Sequence, residues 1–423
     1  MITCPFTAEV ADLGGLGDGI VRHPDGPVVL VPRVVPGDLL RIDQLAKQRG
    51  VLRATAFAVI APSPQRCEPA CAVFDECGGC ALQHWSLDRQ LQWKRGQLAR
   101  AVGLATEAIE LDPVQPRGHR RRTRLHLRPR NRGLGAGFLR AHSDRLVAEA
   151  ACAVLAPELE ALRARAGAAL GPYLDRGELH AVLGQQGVIA DLTARHIGAE
   201  IPQAQVLAEQ LGVVGLRLQI GRHADRWGLS EVDLAEVDGP LAVSTDAAGF
   251  CQASAEGNRA LRRRVGEALD RLGPVQHVQE FYAGSGNFTG LCLQRGATVR
   301  AVELDVDAVR RLRRAVAAAG LQERVEVVAA QAERAADSAQ PSEIWLLDPG
   351  RQGAPEVCAA AARLRPDGLV YVSCALDKLV RDIAPLLQLG WTVQHAALID
   401  GFAWTIHLES VVTLRPPAVP VSL

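Results

Sequence analysis

The sequence has very little lysine and no long apolar run. Only Lys47, Lys94 and Lys378 are lysines among 423 residues, so nearly all of the basic charge is arginine, which by its abundance alone does not indicate phosphate binding. No apolar stretch reaches the roughly 20 residues that a membrane-spanning helix needs. The start of the chain has no basic segment followed by an apolar core, so no secretory signal is expected. We therefore expect a cytoplasmic protein.

The sequence also lacks net charge. Lys and Arg total 47 and Asp and Glu total 47, which neither favours nor excludes a nucleic-acid partner because binders can concentrate charge on one face. Hydrophobic residues make up 48% and charged residues 22%, as in ordinary globular proteins. A chain of 423 residues predicts two or three domains. In a reducing cytoplasm its ten cysteines are expected to be thiols, metal ligands or catalysts rather than disulfides.

Three cysteines lie close together in the sequence. Cys71, Cys77 and Cys80 follow one another within a short segment, and Gly78 and Gly79 separate the last two. Paired glycines let the backbone turn tightly, so thiols with this spacing can converge on one metal centre. An iron–sulfur cluster and a zinc ion both take thiolate ligands, and both alternatives are open at this point.

The sequence predicts three structural regions. Residues 1–61 contain short apolar stretches separated by Gly, Pro and Asp turns, which is typical of a small β-barrel. Residues 62–239 form a central region that contains the cysteines and an expected helix over Ser86–Val102. Residues 240–423 alternate apolar strands with helices rich in Ala, Leu and Arg. That alternation predicts a parallel, doubly wound α/β sheet.

A basic strand is expected over Arg120–Arg128 of the central region. Its side chains alternate, so that Thr and Leu share one face and four basic residues share the other: Arg122, Arg124, His126 and Arg128. This basic face is a candidate for phosphate contact. The alternative is an ordinary solvent-exposed face of a sheet.

A glycine-rich turn in the α/β region is suited to a nucleoside. The expected strand Val278–Tyr282 runs into Ala283-Gly-Ser-Gly-Asn-Phe288, and the next strand ends at Glu303, where a carboxylate can accept hydrogen bonds from ribose hydroxyls. The motif lacks the third glycine of the dinucleotide fingerprint. It therefore favours a phosphate-free nucleoside such as S-adenosylmethionine over NAD. The alternative is a glycine-rich turn without a ligand.

Reactive side chains follow several of the expected strands. Asp348 and Cys374 each come directly after a strand, and in open α/β sheets the reacting groups gather at the carboxyl ends of the strands. Cys374 is a candidate nucleophile, and a buried structural cysteine is the alternative. His407 and Glu409 alternate, so in a strand they share a face. Glu409 is a candidate general base, or else a solvated acid on an edge strand.

Together these motifs resemble those of the RNA uracil-5 methyltransferases. The resemblance covers nearly the whole chain and is to the iron–sulfur branch, which makes 5-methyluridine in bacterial large-subunit ribosomal RNA. The matching segments are Phe250–Gln252, Phe281–Phe288, Asp348–Arg351, Tyr371–Cys374 with Arg381 and Asp382, and His407–Ser410. The distant Cys152, in Ala151–Pro157, matches the fourth cluster ligand of the family.

The resemblance implies a fold and a set of ligands. The fold is α/β, a Rossmann-like S-adenosylmethionine-dependent methyltransferase domain preceded by an OB-like β-barrel of the TRAM type and a central α+β iron–sulfur domain. The implied ligands of a 4Fe-4S cluster are Cys71, Cys77, Cys80 and Cys152. The implied contacts to S-adenosylmethionine are Gln252, Tyr282, Asn287, Glu303 and Asp348. For Asp348 the uracil edge is the alternative partner.

The resemblance also implies a reaction. Cys374 adds to carbon 6 of uracil, carbon 5 then takes the methyl group, and Glu409 removes the carbon 5 proton. The expected substrate is an RNA loop of 23S ribosomal RNA, with transfer RNA as an alternative. No DNA or membrane partner is expected, and a monomer is expected. The alternative from another class is an RNA-binding or RNA-folding protein that has lost turnover.

Several positions depart from the family pattern. Glu280 replaces an Asp, Ser254 an Asn, Gly350 a Pro and Ala375 a polar residue, and the segment Gly401–Trp404 also differs. Every residue with a chemical role is retained. The departures therefore bear on rate and on the exact substrate more than on the class of reaction.

Overall fold

The protein is described from a computed structural model that covers residues 4–418 except 49, 132, 142, 198, 238 and 340–343. The chain forms two compact units. The first contains the chain up to Lys94 together with Phe138–Ala153 and Phe402–Ile406, and the second contains the remainder. The division of the sequence at residues 61 and 239 stays a prediction.

Most of the helices and strands in the first part of the described chain are strands. Its elements are β1 (Phe6–Glu9), β2 (Asp12–Leu13), β3 (Gly19–Arg22), β4 (Val28–Val31), β5 (Leu39–Gln48), β6 (Val51–Ala61), α1 (Leu87–Val102), a 3₁₀ turn (Thr106–Ala108) and β7 (Glu110–Pro113). The helix expected from Ser86 to Val102 is confirmed.

In the first unit, β1 to β6 form a curled sheet in the order β1-β5-β6-β4-β3-β2. The curl is visible just after β1, where Val10 N–H donates to Asp38 O and Ala11 N–H donates to Ile20 O, each at 2.9 Å. One short segment thereby bonds to the residue just before β5 and to β3. The enclosed core is apolar, with Val21, Val29, Val31, Leu40 and Ile42 fully buried. The short strands predicted for this region are confirmed, and the small barrel stays a prediction.

The middle of the chain forms a second sheet. Its elements are β8 (Arg122–Arg130), β9 (Gly133–Leu139), β10 (Leu146–Val147), α2 (Pro157–Leu170), β11 (Leu174–Gly184), β12 (Gly187–His196), α3 (Ala204–Leu211), β13 (Gly215–Ile220), β14 (His223–Gly228), β15 (Val232–Asp233) and β16 (Ser244–Thr245). In the second unit the strand order is β9-β8-β11-β12-β13-β14, and only β12 and β13 among these neighbours run parallel. Helix α2 packs on β8, β11 and β12, and α3 packs on β13 and β14.

The last part of the chain forms the α/β layers of the second unit. Its elements are α4 (Ala255–Leu272), β17 (His277–Phe281), α5 (Thr289–Gln294), β18 (Thr298–Glu303), α6 (Val306–Ala318), β19 (Val325–Ala329), α7 (Ala332–Ala336), β20 (Ile344–Leu347), α8 (Pro355–Leu364), β21 (Gly368–Ser373), α9 (Leu376–Gln388), β22 (Thr392–Asp400) and β23 (Glu409–Arg415). The sheet order is β19-β18-β17-β20-β21-β23-β22-β7.

This sheet is parallel only in part, so the expectation of a fully parallel sheet was wrong. Strands β17 to β21 are parallel, as the alternation with helices predicted, but β23 inserts between β21 and β22 and runs antiparallel to both. No helix lies between β22 and β23, so the chain returns directly instead of crossing over. The α/β core is closely packed, with Trp345, Tyr371 and Phe281 fully buried.

Helix starts in the α/β part follow local chemistry. Ser254 caps α4, since its Oγ accepts a hydrogen bond of 3.1 Å from Gly257 N–H. Asp305 caps α6 in the same way, with 2.7 Å between Oδ1 and Ala308 N. Among the described helices none is both long enough and apolar enough to cross a membrane.

Candidate active site

Cys374 and Glu409 lie side by side at the carboxyl end of β21. Ser373, the last residue of β21, pairs with Ser410 of the antiparallel β23, and Ser410 Oγ donates to Ser373 O at 3.1 Å. Because the strands run in opposite directions, the residue after Ser373 and the residue before Ser410 are neighbours. Cys374 is half-buried and Glu409 is buried. The pairing of the two strands therefore places a thiol next to a carboxyl group.

Asp348 adds a second carboxyl group to this site. It follows β20, which pairs with β21 on one side and with β17 on the other, and its main-chain N–H donates to Phe281 O at 3.4 Å. The negative charge of Asp348 acts on the pKa of both Cys374 and Glu409. The guanidinium of the exposed Arg351 opposes it at both groups.

The three acidic groups hold their protons unusually tightly. Burial, then Glu409 and Asp348, raise the pKa of the Cys374 thiol to about 11. Burial and then Asp348 raise the pKa of Glu409 well above its ordinary value. Burial and then Glu303 raise the pKa of Asp348 to about 7. A carboxyl group with a pKa of about 7, as in Asp348, beside a thiol is suited to general acid–base work.

The glycine-rich turn after β17 presents an open main chain. Gly284 has a positive φ of 56°, and a Cβ on it would face open space. Gly286 has a φ of 98°, and a Cβ there would lie 2.7 Å from Leu312 Cδ1, so only glycine fits against α6. Tyr282 also has a positive φ, 62°, and its hydroxyl donates to Glu333 Oε1 at 3.4 Å. Burial and Glu333 raise the pKa of Tyr282.

Glu303 is tied to this turn from the end of β18. Its Oε2 accepts a hydrogen bond of 2.9 Å from Gly284 N–H, and its Oε1 accepts bonds of 2.7 Å from the N–H groups of Leu304 and Asp305. A carboxylate fixed in this way still has lone pairs for hydroxyl donors. The sequence placed Glu303 at the end of the second strand, and the structure brings it against the first turn.

Asn287 and Gln252 are joined by a buried polar network that the sequence gave no sign of. The side chains of Asn258 and Asn287 exchange two hydrogen bonds, of 2.9 and 3.0 Å, and Asn258 Nδ2 also donates to Glu236 Oε1 at 2.9 Å. Glu236 pairs with Arg121, whose Nε donates to Gln252 O at 2.8 Å. The network thus links the start of the basic strand to the predicted cofactor residues. The residues that connect them, Arg121, Glu236 and Asn258, lie far apart in the sequence and belong to no motif that the sequence showed.

A second network supports the segment that carries Asp348. The carboxylate of the buried Asp382 accepts hydrogen bonds from Tyr371 Oη at 2.7 Å and from Ala354 N at 2.6 Å, both on Oδ2, and from Arg381 Nε at 2.7 Å on Oδ1. Arg381 also donates to Gln352 O at 2.7 Å. Arg381 and Asp382 therefore hold the loop after Asp348 against β21.

The structure also accounts for some of the departures from the family pattern. Ser254 serves as the cap of α4, as described above. Glu280 is buried, and its Oε2 accepts a hydrogen bond of 2.6 Å from Thr289 Oγ1. Ala375 N–H donates to Ser373 Oγ at 3.1 Å, which ends the strand before α9. His407 lies before β23 rather than in it, so the expectation that His407 and Glu409 share a strand face was wrong; the strand begins at Glu409.

The four predicted cluster ligands all belong to the first unit. Cys71, Cys77, Cys80 and Cys152 are half-buried, and no cysteine of the described chain is in a disulfide. Gly79 N–H donates to Cys77 Sγ at 3.4 Å. Burial raises the pKa of Cys77, and the charge of Cys71 raises it further. In the described part of the chain no three His, Cys, Asp or Glu side chains are placed to hold a single metal ion.

Arg33 of the curled sheet contacts this cysteine segment, and the sequence did not indicate it. Its Nη1 and Nη2 donate to Cys80 O and Cys77 O, each at 3.3 Å, and its guanidinium lies 4.1 Å from the centroid of the Phe74 ring. Arg33 adopts a positive φ of 59°, which is uncommon for a residue with a side chain.

Comparisons with known proteins bear on the whole chain. No protein-family model matches it. The 23S rRNA (uracil(1939)-C(5))-methyltransferase RlmD of Klebsiella pneumoniae strain 342 is 33% identical over 430 aligned residues, with 96% of this chain and 95% of the relative covered. The RlmD of Chromohalobacter salexigens is 32% identical, with 94% and 86% covered. Among solved structures, the tRNA (uracil-54, C5)-methyltransferase of Pyrococcus abyssi, in complex with S-adenosyl-L-homocysteine, superposes with a TM-score of 0.75 at 21% identity, covering 97% of this chain and 100% of that one, which shows a common fold.

Proposed function

We propose, from the premise that this chain belongs to the RlmD family of 23S rRNA (uracil-C5)-methyltransferases, that it methylates carbon 5 of a uracil in 23S ribosomal RNA. It is an RNA (uracil-5-)-methyltransferase. The observation that carries the reaction chemistry is the placement of the Cys374 thiol next to the Glu409 carboxyl group, with Asp348 on the neighbouring strand.

The residues around the glycine-rich turn fit S-adenosylmethionine. Gly284 leaves room for a ligand beside the main chain, and the fixed carboxylate of Glu303 suits ribose hydroxyls. Tyr282, Asn287 and Gln252 are the further contacts that we assign to the cofactor. S-adenosylmethionine, when bound, supplies an electrophilic methyl group on a positively charged sulfur.

Cys374 supplies the nucleophile. Carbon 5 of uracil is too electron-poor to displace a methyl group from sulfur, so the thiolate first adds to carbon 6 and the ring electrons move to carbon 5 and oxygen 4. Carbon 5 would then bond to the methyl carbon, whose bond to the cofactor sulfur would break and leave that sulfur as a neutral thioether. Glu409 takes the proton from carbon 5, the 5,6 double bond re-forms, and the thiolate leaves carbon 6. Each bond made to the enzyme is broken again, so the thiol is regenerated.

The raised pKa values fix which proton transfers are needed. A Cys374 thiol with a pKa of about 11 is protonated at neutral pH, so a neighbouring group must take its proton for addition to carbon 6. Asp348, with a pKa of about 7, is the carboxyl group poised to do so. Glu409 must itself be ionised before it can take the carbon 5 proton. The positively charged cofactor and the nearby Arg351 would both favour these ionised forms.

We also assign a 4Fe-4S cluster to Cys71, Cys77, Cys80 and Cys152. The donor set consists of thiols in one unit, with the Gly79 N–H directed at one sulfur, which is the chemistry that iron–sulfur clusters require. When bound, the cluster would tie the cysteine segment to the Cys152 segment and stabilise the folded unit. We assign the curled N-terminal sheet to a TRAM-type RNA-binding barrel. An RNA-modifying role agrees with the cytoplasmic location expected from the sequence.

The decisive experiment follows the transfer of labelled methyl from S-adenosylmethionine to transcribed 23S ribosomal RNA and, in parallel, to transfer RNA. The wild-type protein, handled anaerobically, should label 23S ribosomal RNA at carbon 5 of a uridine. Cys374→Ala should abolish transfer and any covalent RNA–protein adduct, whereas Glu409→Gln should accumulate the adduct on a denaturing gel because release requires loss of the carbon 5 proton.

The exposed Cys67 provides a matched control, since Cys67→Ala removes a thiol outside the motifs and should leave transfer unchanged. Wild-type turnover by Cys374→Ala would overturn the assignment of the nucleophile. Label in transfer RNA alone would identify a tRNA enzyme. RNA binding without any methyl transfer would identify a binding protein that has lost turnover.

A further inference from the structure

The sheet of the middle region has two chemically different faces. Leu125, Leu179, Leu192 and Leu218 lie in one row across β8, β11, β12 and β13, and all four are buried. Helices α2 and α3 pack against these strands. The opposite face carries polar side chains, and Arg124, Arg195 and Arg217 have 57%, 70% and 68% of their side chains exposed. The helices therefore cover one face and leave the other open to solvent.

Arginines dominate the open face. In one row across the sheet Arg124, His180, Asp191, Arg217 and Arg226 lie opposite one another in register. We call the following residues the arginine face: Arg122, Arg124, Arg128, Arg176, Arg195, Arg217 and Arg226. It thus extends the basic strand predicted from the sequence to the neighbouring strands.

Carboxylates neutralise this face only in part. Glu178 lies 3.8 Å from Arg124, Asp175 pairs with Arg195, and Asp191 pairs with Arg217. Three carboxylates therefore stand against seven arginines, while the charges of the whole chain cancel. The protein has concentrated positive charge on one surface, which is the electrostatic signature of a partner with many negative charges.

Two arginine pairs make the excess charge costly for the isolated protein. Arg176 lies directly opposite Arg195 on β11 and β12, and Arg217 lies directly opposite Arg226 on β13 and β14. Like charges directly opposite each other destabilise a sheet. An anionic ligand across the strands would remove the repulsion.

The arginine face starts beside the methyl-transfer site. Arg122 Nη2 donates to Ala248 O at 3.2 Å, and the preceding Arg121 donates through Nε to Gln252 O at 2.8 Å. The beginning of β8 is therefore attached to the segment that leads into the predicted cofactor contact. A chain of phosphates that follows the face would reach the site where a uracil reacts.

We infer that the arginine face binds phosphates of the RNA substrate. These phosphates would lie next to the part of the site that contains Ala248 and Gln252. The inference rests on the proposed function, because it takes the methylated RNA as the occupant. Arginine suits this task because its guanidinium forms forked hydrogen bonds to phosphate oxygens. Phosphate contacts position an RNA without selecting its sequence. The face therefore supplies affinity, and the choice of uridine lies elsewhere.

The test compares two double variants in RNA binding. Arg176→Gln with Arg226→Gln removes two charges from the face, and Arg310→Gln with Arg363→Gln removes two exposed charges from α6 and α8. Binding of transcribed 23S ribosomal RNA is measured at several salt concentrations. The face variant should bind about 10-fold more weakly, and its slope of log affinity against log salt should fall by about two, roughly one for each lost phosphate contact. The α6/α8 variant should match wild type.

A third variant should move affinity the other way. Glu178→Gln removes a carboxylate that lies 3.4 Å from His126 and 3.7 Å from His180, so it should tighten RNA binding, which loss of structure alone would not do. Affinity for S-adenosylmethionine and the Tm confirm folding of each variant. Unchanged RNA affinity and an unchanged salt slope in the face variant would overturn the inference. The same result is expected if the arginine face binds a protein instead of RNA. Salt-dependent binding through the face by a protein that transfers no methyl group would refute the proposed function and leave this inference intact.

Discussion

The hydroxyl of Tyr371 donates a hydrogen bond of 2.7 Å to the Asp382 carboxylate inside the α/β core. Tyr371 lies on β21, three residues before Cys374, and the same carboxylate accepts the N–H of Ala354 at 2.6 Å. Gly353, with a φ of 78°, approaches Asp382 so closely that a Cβ would collide with it. One buried acid thereby fixes β21 and the loop after Asp348 relative to each other.

Replacement of this acid should slow the reaction without weakening cofactor binding. Asp382→Asn removes the charge that draws three donors together, so Asp348 and Cys374 lose their fixed relation, and we expect kcat to fall by about 10- to 100-fold. Tyr371→Phe removes one of the three hydrogen-bond donors to Asp382 and should lower kcat by less. Methyl transfer at saturating RNA measures kcat, and calorimetry measures the affinity for S-adenosylmethionine. A proportional loss of cofactor affinity would show a general structural defect instead.

The reactivity of Cys374 should depend on its acidic neighbour. Burial and Glu409 raise the pKa of the thiol to about 11, so alkylation by iodoacetamide should speed up about tenfold per pH unit between pH 7 and 10. Glu409→Gln should lower that pKa and speed alkylation at pH 8. Glu323→Gln, an exposed acid outside the site, is the control. Peptide mass spectrometry follows Cys374 specifically. Equal rates in both variants would mean that Glu409 does not act on the thiol.

Glu280 should make stability fall with rising pH. Burial raises its pKa to about 8, and its Oε1 has no hydrogen-bond partner in the described chain. The folded protein thus keeps a proton that the unfolded chain releases above pH 4.5, so the free energy of unfolding declines between pH 4.5 and 8, by about 1.4 kcal/mol per pH unit at most. Glu280→Gln should flatten this decline. Thermal unfolding of both proteins at pH 5.5 and 7.5 measures this decline. An equal loss of stability in the wild type and in Glu280→Gln would contradict the prediction.

Arg33 should determine how well the cysteine segment holds its cluster. Arg33→Met removes the two bonds to Cys77 O and Cys80 O and the charge beside the thiolates, and we expect roughly a 10-fold loss of cluster affinity. Arg33→Lys keeps the positive charge but lacks the two-pronged guanidinium, so its cluster affinity should lie between those of the wild type and Arg33→Met. The exposed Arg22, changed to Gln, is the control. Iron and sulfide per chain, and the loss of visible absorption in air, measure the effect; equal iron content in all variants would exclude the role.

Local pattern predicted the elements that carry the site. The helix expected over Ser86–Val102 ends at Val102, Glu303 ends a strand, and Asp348 and Cys374 each follow one, as expected. Each of these signals lies within a few adjacent residues. The reversed direction of β23 had no such signal, since an apolar strand has the same sequence pattern in either direction.

The supporting networks could not be predicted for a related reason. Arg121 meets Gln252, and Asn258 meets Asn287, only after the sheets have formed. The motifs pointed to Gln252 and Asn287, but Arg121 and Asn258 are ordinary polar residues in their own segments. The arginine face was found in part, because Arg122, Arg124 and Arg128 alternate within one strand. Its other arginines lie on four further strands, and only the register places them on the same face.

Strand β7 comes from far upstream and forms the outer edge of the sheet that carries Cys374. It pairs with β22 from Ala397–Glu110 to Asp400–Pro113, and its Asp112 pairs with Arg263 and Arg264 of α4. During synthesis this sheet can be completed only after β23 has been made, although its edge strand β7 is made much earlier. A fragment beginning at residue 240 would expose the unpaired main chain of β22 and so invite self-association.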